Sequence, residues 1–484
     1  MSAVKKLLKT PGETTSRAPS TGGILTALCL ATLLNALAVS SVNIALPELV
    51  ASLGTTYGRA QWIIIAFVML LTATLAIAGQ ASDRIGRKNI FVHGMAIFTL
   101  STLLCAMSTH IWMLVFFRAL QGIGAAMFVA VSMAIASDTF SKSRVGMAVG
   151  LLGSVSAVGT GMGPVLGGFL LEVANWQAVF LVKVPLGIAI YGLAKRYLPA
   201  DSGVKPGKTT MGLCNILSII SIFSAIFFYT LSIKPLNDSY GVVNILAIVI
   251  SGFSLLALLF AKRRLSRKTS SPCSNLGGHE LYTNLASNGL VGASVMSSLV
   301  VGPFYLTLAL GLNFSQAGLV MSAGSFAVAI CSNIAGRLVD RFKSRGVVLM
   351  GLGFLALGAL GMTRLDASEG VLGYLACSIA MAIGYGTYLS SNNTFTMNSA
   401  AEEVRGSVSG LLNLSRNLGL LTGASLMSVV FAGASQLSYM HTADTDLVVA
   451  GLHKVYGLTL VLLVTALIAQ AVVILFGRNK GRVG

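Results

Sequence analysis

The sequence predicts an all-α membrane protein with fourteen transmembrane helices, arranged as two pseudo-symmetric six-helix bundles with an extra helix pair between them. The chain of 484 residues is 55% hydrophobic and only 10% charged, and its mean hydropathy is +0.83. A soluble protein of this size could not bury so much apolar surface. Apolar runs of bilayer length recur along the chain, and one charged motif appears at corresponding places in both halves.

The predicted spans are apolar runs near the ~20 residues that cross the hydrocarbon core of a bilayer. The fourteen spans are 23–46, 59–80, 90–108, 111–136, 144–170, 177–197, 210–232, 242–262, 281–308, 315–337, 346–363, 370–392, 405–432 and 453–477. The first run is too long and too lightly flanked for a cleaved signal peptide, so we expect it to remain as the first span.

The spans imply a division of the chain into two bundles, a central pair and short polar segments. The predicted divisions are a cytoplasmic tail 1–22, a first bundle 23–200, a central pair 201–262, a cytoplasmic linker 263–280, a second bundle 281–477 and a cytoplasmic tail 478–484.

Basic residues predict the orientation of these spans. Three of the 33 Lys and Arg residues lie within spans, and most others lie in segments on one side of the membrane. The opposite side has four: Arg59, Lys234, Arg364 and Lys454. Because positive charge stays on the cytoplasmic side, both termini are predicted to be cytoplasmic. The net charge of +18 is therefore a topology signal, and it does not call for a nucleic-acid partner.

The reactive residues give no indication of an enzyme, a metal site or a cofactor. The six cysteines and five histidines are scattered, and no pair has the spacing of metal ligands or of a catalytic triad. A membrane sensor remains an alternative, but it predicts a sizeable soluble domain, and no loop is long enough for one. The expected partners are a small-molecule substrate, protons and the lipid bilayer, with the protein as a monomer.

The repeated motif lies after the second span of each predicted bundle. Residues 79–88 read GQASDRIGRK, and residues 336–345 read GRLVDRFKSR, both predicted to be cytoplasmic loops. Their central pairs are Asp83 with Arg84 and Asp340 with Arg341. Such carboxylates can pair with a neighbouring helix end in one conformation and separate in another. The repeat favours this role over that of an ordinary positive-inside loop, and it indicates two halves related by duplication.

The fifth span contains the sequence GTGMGPVLGG at residues 159–168. Gly159, Gly163 and Gly167 recur every fourth residue, so one helix face lacks side chains and a neighbouring backbone can approach it closely. Pro164 predicts a bend in the helix. Gly168 lies one turn after it. These features fit either a moving hinge or static tight packing.

Arg118 lies within a span, about 10 Å from the start of the fourth predicted helix. An ionisable residue at such a depth is by default a functional-site hypothesis. The neighbouring Gln121 supports that interpretation. The alternative is that the Arg118 side chain snorkels to the nearer membrane surface.

These motifs resemble those of the major facilitator superfamily, and specifically its fourteen-helix drug:proton antiporter branch. The resemblance covers nearly the whole chain. Besides the 79–88 motif, it rests on Arg118 to Gly124, on residues 159–168, on Asn43 to Pro47 and Asn175 to Phe180, and on the sequences at 304–306 and 316–318. It implies the major facilitator fold, a proton-transfer role for the helix-4 motif and an antiporter signature in helix 5.

Two positions depart from that branch. Ala38 replaces an aspartate that is usual in helix 1, and Lys183 replaces an asparagine that is usual in helix 6. No Asp or Glu lies deep in any span, whereas Arg118, Lys183 and Arg416 do. We expect Lys183 and Arg416, with Asn35, to contribute to the substrate site, although Lys183 could instead snorkel outward.

The predicted function is proton-coupled efflux of small, drug-like organic molecules across the inner membrane of a bacterium by alternating access. The substrate site is expected between the two bundles, near the membrane midplane. Because the charged residues deep in the spans are basic and none is acidic, a second possibility stays open: the export of an anionic or zwitterionic metabolite such as a carboxylate siderophore.

Overall fold

The computed structural model describes residues 21–139, 142–199, 224, 226–231, 246, 249–250, 279–341, 344–398, 405–435 and 445–480. Twelve helices in these residues are long and apolar enough to cross a membrane. Most of the two predicted central spans, 210–232 and 242–262, lies outside the described residues. The presence of an extra pair therefore stays a prediction.

The first half contains six of the twelve spans. They are α1 Thr21–Ser52, α2 Tyr57–Ile85, α3 Arg87–Ala106, α4 Ile111–Thr139, α5 Lys142–Val173 and α6 Lys183–Tyr197, the last preceded by a short helix at Ala178–Leu181. The second half contains the other six. They are α7 His279–Phe304, which continues as a π-helix at Tyr305–Ala309, α8 Phe314–Arg341, α9 Ser344–Met362, α10 Gly370–Asn398, α11 Arg405–Ser435 and α12 Thr445–Lys480.

The helices extend beyond the apolar runs that predicted them, and the prediction of a loop at 79–88 was wrong. Helix α2 continues to Ile85 and α3 begins at Arg87, so a single residue, Gly86, connects them. Hydropathy falls where the bilayer ends, but a helix ends only where its backbone is interrupted. Gly86 supplies the interruption, since its φ of 101° is readily adopted only by glycine. The stretch 336–341 is likewise helical, as the last turns of α8.

Helix pairing in the first half recurs in the second half with a shift of six helices. In the first half α1 packs on α5, α2 on α4, and α3 on both α4 and α6. In the second half α7 packs on α11, α8 on α10, and α9 on both α10 and α12. The contacts between halves are also related by this shift, because α5 packs on α8 and α11 packs on α2. The fold is thus two bundles of similar architecture related by a pseudo-twofold axis.

The described contacts between the two bundles include a group at one end of the helices. Following the orientation predicted from the charges, we call the end with the loop after α1 the outer end and the end with Gly86 the inner end. Tyr57, at the outer end of α2, packs against two aromatic rings of the second bundle. The outer turns of α5 pack against the first turns of α8, where Asn313 Nδ2 also lies 3.5 Å from Glu172 Oε1.

Candidate transport site

Arg118 lies on α4 inside the first bundle and connects it to two other helices. Its side chain is 1% exposed, so it does not snorkel to the membrane surface. Its Nε donates to the carbonyl of Ile63 on α2 at 3.2 Å, and Nη1 donates to the carbonyl of Ala38 on α1 at 3.3 Å. The guanidinium carbon also lies 4.2 Å from the centroid of the Phe67 ring. These carbonyl oxygens and the π face partly offset the cost of burying the charge.

Gln121 extends this network to a fourth helix. Arg118 Nη1 donates to Gln121 Oε1 at 2.5 Å, and Gln121 Nε2 donates to Thr102 Oγ1 on α3 at 2.5 Å. All three side chains are essentially buried. One residue on α4 thus ties together α1, α2 and, through Gln121, α3. Because the donors fill neutral acceptors, Arg118 is held without a carboxylate partner.

Lys183 lies at the first position of α6, also in the interior of the first bundle. Its side chain is 3% exposed, and Nζ has no hydrogen-bond partner among the described residues. The nearest recorded contact of the ammonium is the Phe180 ring, whose centroid is 5.2 Å away. Arg118 and the thiol of Cys105 lie within electrostatic range. The surroundings of Lys183 therefore belong to the first bundle.

The other two predicted substrate residues, Asn35 and Arg416, lie on helices that contact the opposite bundle. Asn35 is on α1 and is half-buried, and its Oδ1 is a buried acceptor without a partner in the described part of the chain. Arg416 is on α11, and its Nε is a buried donor that also has no partner in the described part of the chain. The structure brings neither residue into a recorded contact with the other or with Lys183.

The glycines at 159, 163 and 167 face α1 of the same bundle. A Cβ atom on Gly167 would lie 2.6 Å from Ile44 Cγ2 and 2.9 Å from the carbonyl oxygen of Ser41. At Gly163 it would collide with the side chain of Ser40. Only glycine permits this approach, so the face is used for packing within the first bundle.

A second face of α5, displaced from the first, contacts the second bundle. A Cβ on Gly161 would lie 3.1 Å from Ser325 Cβ, and one on Gly168 would lie 2.8 Å from the carbonyl carbon of Phe314. The arrangement is reciprocal, since a Cβ on Gly318 of α8 would lie 2.9 Å from the carbonyl carbon of Pro164. We call this backbone-to-backbone contact between α5 and α8 the glycine seam.

The sequence reasoning did not include Gly161 or Gly318 among the site residues. The signal was nevertheless present, because Gly161, Pro164 and Gly168 have the i, i+3, i+7 spacing of one helix face. Of the five predicted hinge residues, Gly159, Gly163 and Gly167 lie on the face toward α1, whereas Pro164 and Gly168 lie on the face toward α8.

An aromatic cluster joins the two bundles at the outer end, and no sequence pattern predicted it. Tyr57 from α2 meets Phe304 from α7 edge-on, with ring centroids 4.7 Å apart, and meets Phe431 from α11 at 5.4 Å. The two phenylalanine rings are 5.8 Å apart. All three side chains are at most 2% exposed. The cluster therefore fills the space between the bundles at the outer end.

Gly153, in the inner half of α5, borders open space among the described residues. A Cβ there would have no described atom within 4 Å, in contrast to Gly163, Gly167 and Gly168 in the outer half. The same holds for Gly79 on α2. The predicted motif residues Asp83, Arg84, Asp340 and Arg341 occupy the last turns of α2 and α8 at this end. Their side chains lie outside what the structure describes.

Comparison with known proteins identifies the family. The sequence model of the Major Facilitator Superfamily matches residues 28–424. The riboflavin transporter RibZ of Clostridioides difficile is 25% identical over 437 residues, which are 90% of this chain and 93% of RibZ. A multidrug resistance protein B homolog of Mycobacterium tuberculosis (strain H37Rv) is 27% identical over 404 residues, covering 81% of this chain and 73% of the relative.

The fold is also found among solved structures. A bacterial homologue of the human lysosomal transporter Spinster, in an inward-facing and occupied conformation, superposes with a TM-score of 0.64. The two sequences are 16% identical, and the match covers 94% of this chain and 97% of the homologue. At this identity the similarity concerns the fold alone.

Proposed function

We propose, since this chain belongs to the Major Facilitator Superfamily, that it exports small organic molecules across the cytoplasmic membrane by alternating access, coupled to inward movement of protons. Membership of the family indicates a multi-pass membrane transporter rather than an enzyme. Direction, proton coupling and the type of substrate are the parts that we propose. Both termini would face the cytoplasm, as the distribution of basic residues predicts.

The observation that carries the proposal is the glycine seam. At Gly168 and Gly318 the two bundles touch through backbone atoms, without interlocked side chains. Two such surfaces can part without unthreading side chains, so the bundles can separate at the outer end as rigid bodies. We propose that the described contacts between the bundles represent an outward-closed state. The open space beside Gly153, among the described residues, is compatible with an opening on the cytoplasmic side.

The hydrogen bonds of Arg118 support a rigid first bundle. A buried guanidinium that binds two other helices directly, and a third through Gln121, favours their movement as one body. Breaking a charged hydrogen bond without a replacement costs roughly 1.5–3 kcal/mol. The same network places the helix-4 residue, to which the resemblance attributes proton transfer, in the bundle core. We propose that Asp83 and Arg84, with Asp340 and Arg341, act at the inner end in the same conformational cycle.

An anionic or zwitterionic substrate, such as a carboxylate siderophore, is the second candidate. Among the side chains that the structure describes, no Asp or Glu is buried, whereas Arg118 and Lys183 are. A lipophilic cation would find no buried counter-charge in these residues, whereas a carboxylate could pair with the partly buried Arg416. The named relatives, a riboflavin transporter and a multidrug resistance homolog, favour an organic molecule as the substrate and do not decide between the two candidates.

The central segment fits the proposed extra helix pair. Residues 226–231 are helical, and the hydroxyls of Tyr229 and Thr422 lie 2.9 Å apart. This contact between Tyr229 and α11 supports a position of the predicted span 210–232 beside the second bundle. We propose that the pair is an addition at the edge of the fold and that the monomer is the transporting unit.

The test is transport into inverted membrane vesicles with an acidic interior, in which efflux appears as uptake. Ethidium, carboxyfluorescein and riboflavin represent a permanent cation, an organic anion and the compound named for one relative. Uptake of at least one probe, absent from vesicles that lack the protein and abolished by a protonophore, is the expected result. Preference between ethidium and carboxyfluorescein decides between the two candidates. A sensor would bind a probe without accumulating it, and that result would refute the proposal.

A further inference from the structure

We propose that the amine of Lys183 carries the coupled proton, an inference that deepens the proposed function and rests on it. Proton coupling needs a group that gains and loses a proton during the cycle. Such a group must be shielded from both sides of the membrane in at least one state, and it must lie within the part of the protein that moves. Lys183 meets both conditions.

The first argument is the isolation of the Lys183 amine. Its side chain is 3% exposed, and Nζ has no hydrogen-bond partner among the described residues. A permanently charged ammonium in a protein core requires acceptors or a counter-ion. The Phe180 ring, 5.2 Å from Nζ, is a weak substitute for either. The site therefore suits a group that alternates between a neutral amine and an ammonium.

The second argument is the charge near Lys183. The long helices that pack against α6 are α1 and α3; the Cys105 thiol of α3 and, from α4, the guanidinium of Arg118 act on Lys183 electrostatically. The titratable residues of α1 are Cys29 and Glu48. No carboxylate of the described chain forms an ion pair with it. Protonation thus adds a second positive charge near Arg118, so the two forms of Lys183 differ strongly in their interaction with the bundle core.

Arg118 itself cannot be the carrier. A guanidinium remains protonated under any condition that a protein survives. Its recorded donors are also engaged by the carbonyls of Ile63 and Ala38 and by Gln121. Arg118 is instead a fixed charge, and a proton on Lys183 changes the repulsion between the two residues. The protonation state can in this way bias the bundle toward one conformation.

The proposed step is a simple proton transfer. In the outward-open state the lone pair of the Lys183 amine binds a proton from the outer side, which forms one N–H bond. In the inward-open state the same bond breaks and the proton leaves toward the cytoplasm. No electrons are transferred and no other reactant is needed.

Three substitutions at position 183 separate the proton-carrying role from a role in packing or fixed charge. Lys183→Arg keeps the charge but cannot release a proton. Lys183→Met removes the titratable group and preserves the length of the side chain. Lys183→His supplies another group that titrates near neutral pH. The matched control is Lys195→Met, which removes the same charge from an exposed position on the same helix.

The experiment compares two transport modes in inverted vesicles, using the probes among ethidium, carboxyfluorescein and riboflavin that the parent protein moves. One mode is accumulation driven by a pH gradient, and the other is exchange of labelled for unlabelled probe at equal pH. Lys183→Arg and Lys183→Met should reduce accumulation by about tenfold or more, because the transferring group is absent, yet preserve exchange. Lys183→His should retain accumulation with an altered pH profile, and Lys195→Met should match the parent.

Each outcome decides the proposal. If Lys183→Arg or Lys183→Met accumulates probe like the parent, the inference is wrong while the proposed function stands. If the parent accumulates none of the probes under a pH gradient, the proposed function fails and the inference with it. If Lys183→Met also loses exchange, Lys183→His decides: retained accumulation supports the inference, and its loss overturns it.

Discussion

Substitution of Gly168 by alanine should shift the transporter from its outward-closed to its outward-open state. The added Cβ would lie 2.8 Å from the carbonyl carbon of Phe314 and 3.2 Å from Ser315 Cα. These are backbone atoms, which cannot rotate away, so α5 and α8 must separate. The collision exists only while the glycine seam is closed. Once the outer ends part, the methyl group meets no obstacle there.

The size of the shift follows from the cost of overpacking. Adding a methyl group to a tightly packed contact typically costs about 1–3 kcal/mol. Because the cost falls on one of two states, it changes their ratio by roughly 5- to 150-fold. A protein that rests mostly outward-closed would then populate the outward-open state substantially.

Spin-label distances can measure this population. Val173 at the end of α5 and Leu372 at the start of α10 are 61% and 81% exposed, so cysteines there accept labels. Gly168→Ala should increase the long-distance population, whereas Gly153→Ala should not, because no described atom lies within 4 Å of its Cβ position. Gly163→Ala should lower thermal stability without changing the distances, since Gly163 faces Ser40 in the same bundle. A folded Gly168→Ala variant with parental distances would refute this reasoning.

Three further predictions concern the other parts of the site. Arg118→Lys should reduce transport at least tenfold, because an ammonium cannot reproduce the fork of donors to Ile63, Ala38 and Gln121. Initial rates of probe uptake at matched expression measure this effect, and a variant with the parental rate would contradict it. Tyr57→Ala should favour the outward-open state by about 1–3 kcal/mol, because it removes two ring contacts. Tyr57→Phe keeps the ring and should not shift the states. The same spin labels report both variants, and equal effects of the two would exclude a role of the ring. Asp83→Asn should lower turnover more than apparent substrate affinity, as expected of a conformational contact; steady-state kinetics separate the two, and a change confined to affinity would point to a direct role in binding.

Much of the fold follows from composition and periodicity. Twelve predicted spans correspond to helices α1–α12, and the repeat at Asp83 and Asp340 anticipated two bundles of matching architecture. Hydropathy reports where a chain meets lipid, and it does so reliably in long apolar runs. It does not report where a helix ends, so α2 continues through the polar residues to Gly86.

The candidate site was predicted only in part, because its contacts depend on which helices meet. The depth of Arg118 in its span is visible in the sequence, but its acceptors at Ile63 and Ala38 are backbone carbonyls, which carry no sequence signal. The aromatic cluster joins residues separated by more than a hundred positions, such as Tyr57 and Phe431. Periodicity places residues on faces of one helix, and only tertiary packing decides what each face meets.

The two contacts between bundles differ in a way that bears on how each can change over evolutionary time. If the halves arose by duplication, the contact of α5 with α8 and that of α11 with α2 began as copies of one ancestral surface. The α5–α8 copy relies on glycine backbones, as at Gly168 and Gly318, and a substitution on either side has no compensating exchange on the other. The other copy relies on rings, Tyr57 and Phe431, whose volumes can be traded between partners. We therefore expect substitutions to accumulate mainly at the second contact, where a change in the size of one ring can be compensated by its partner.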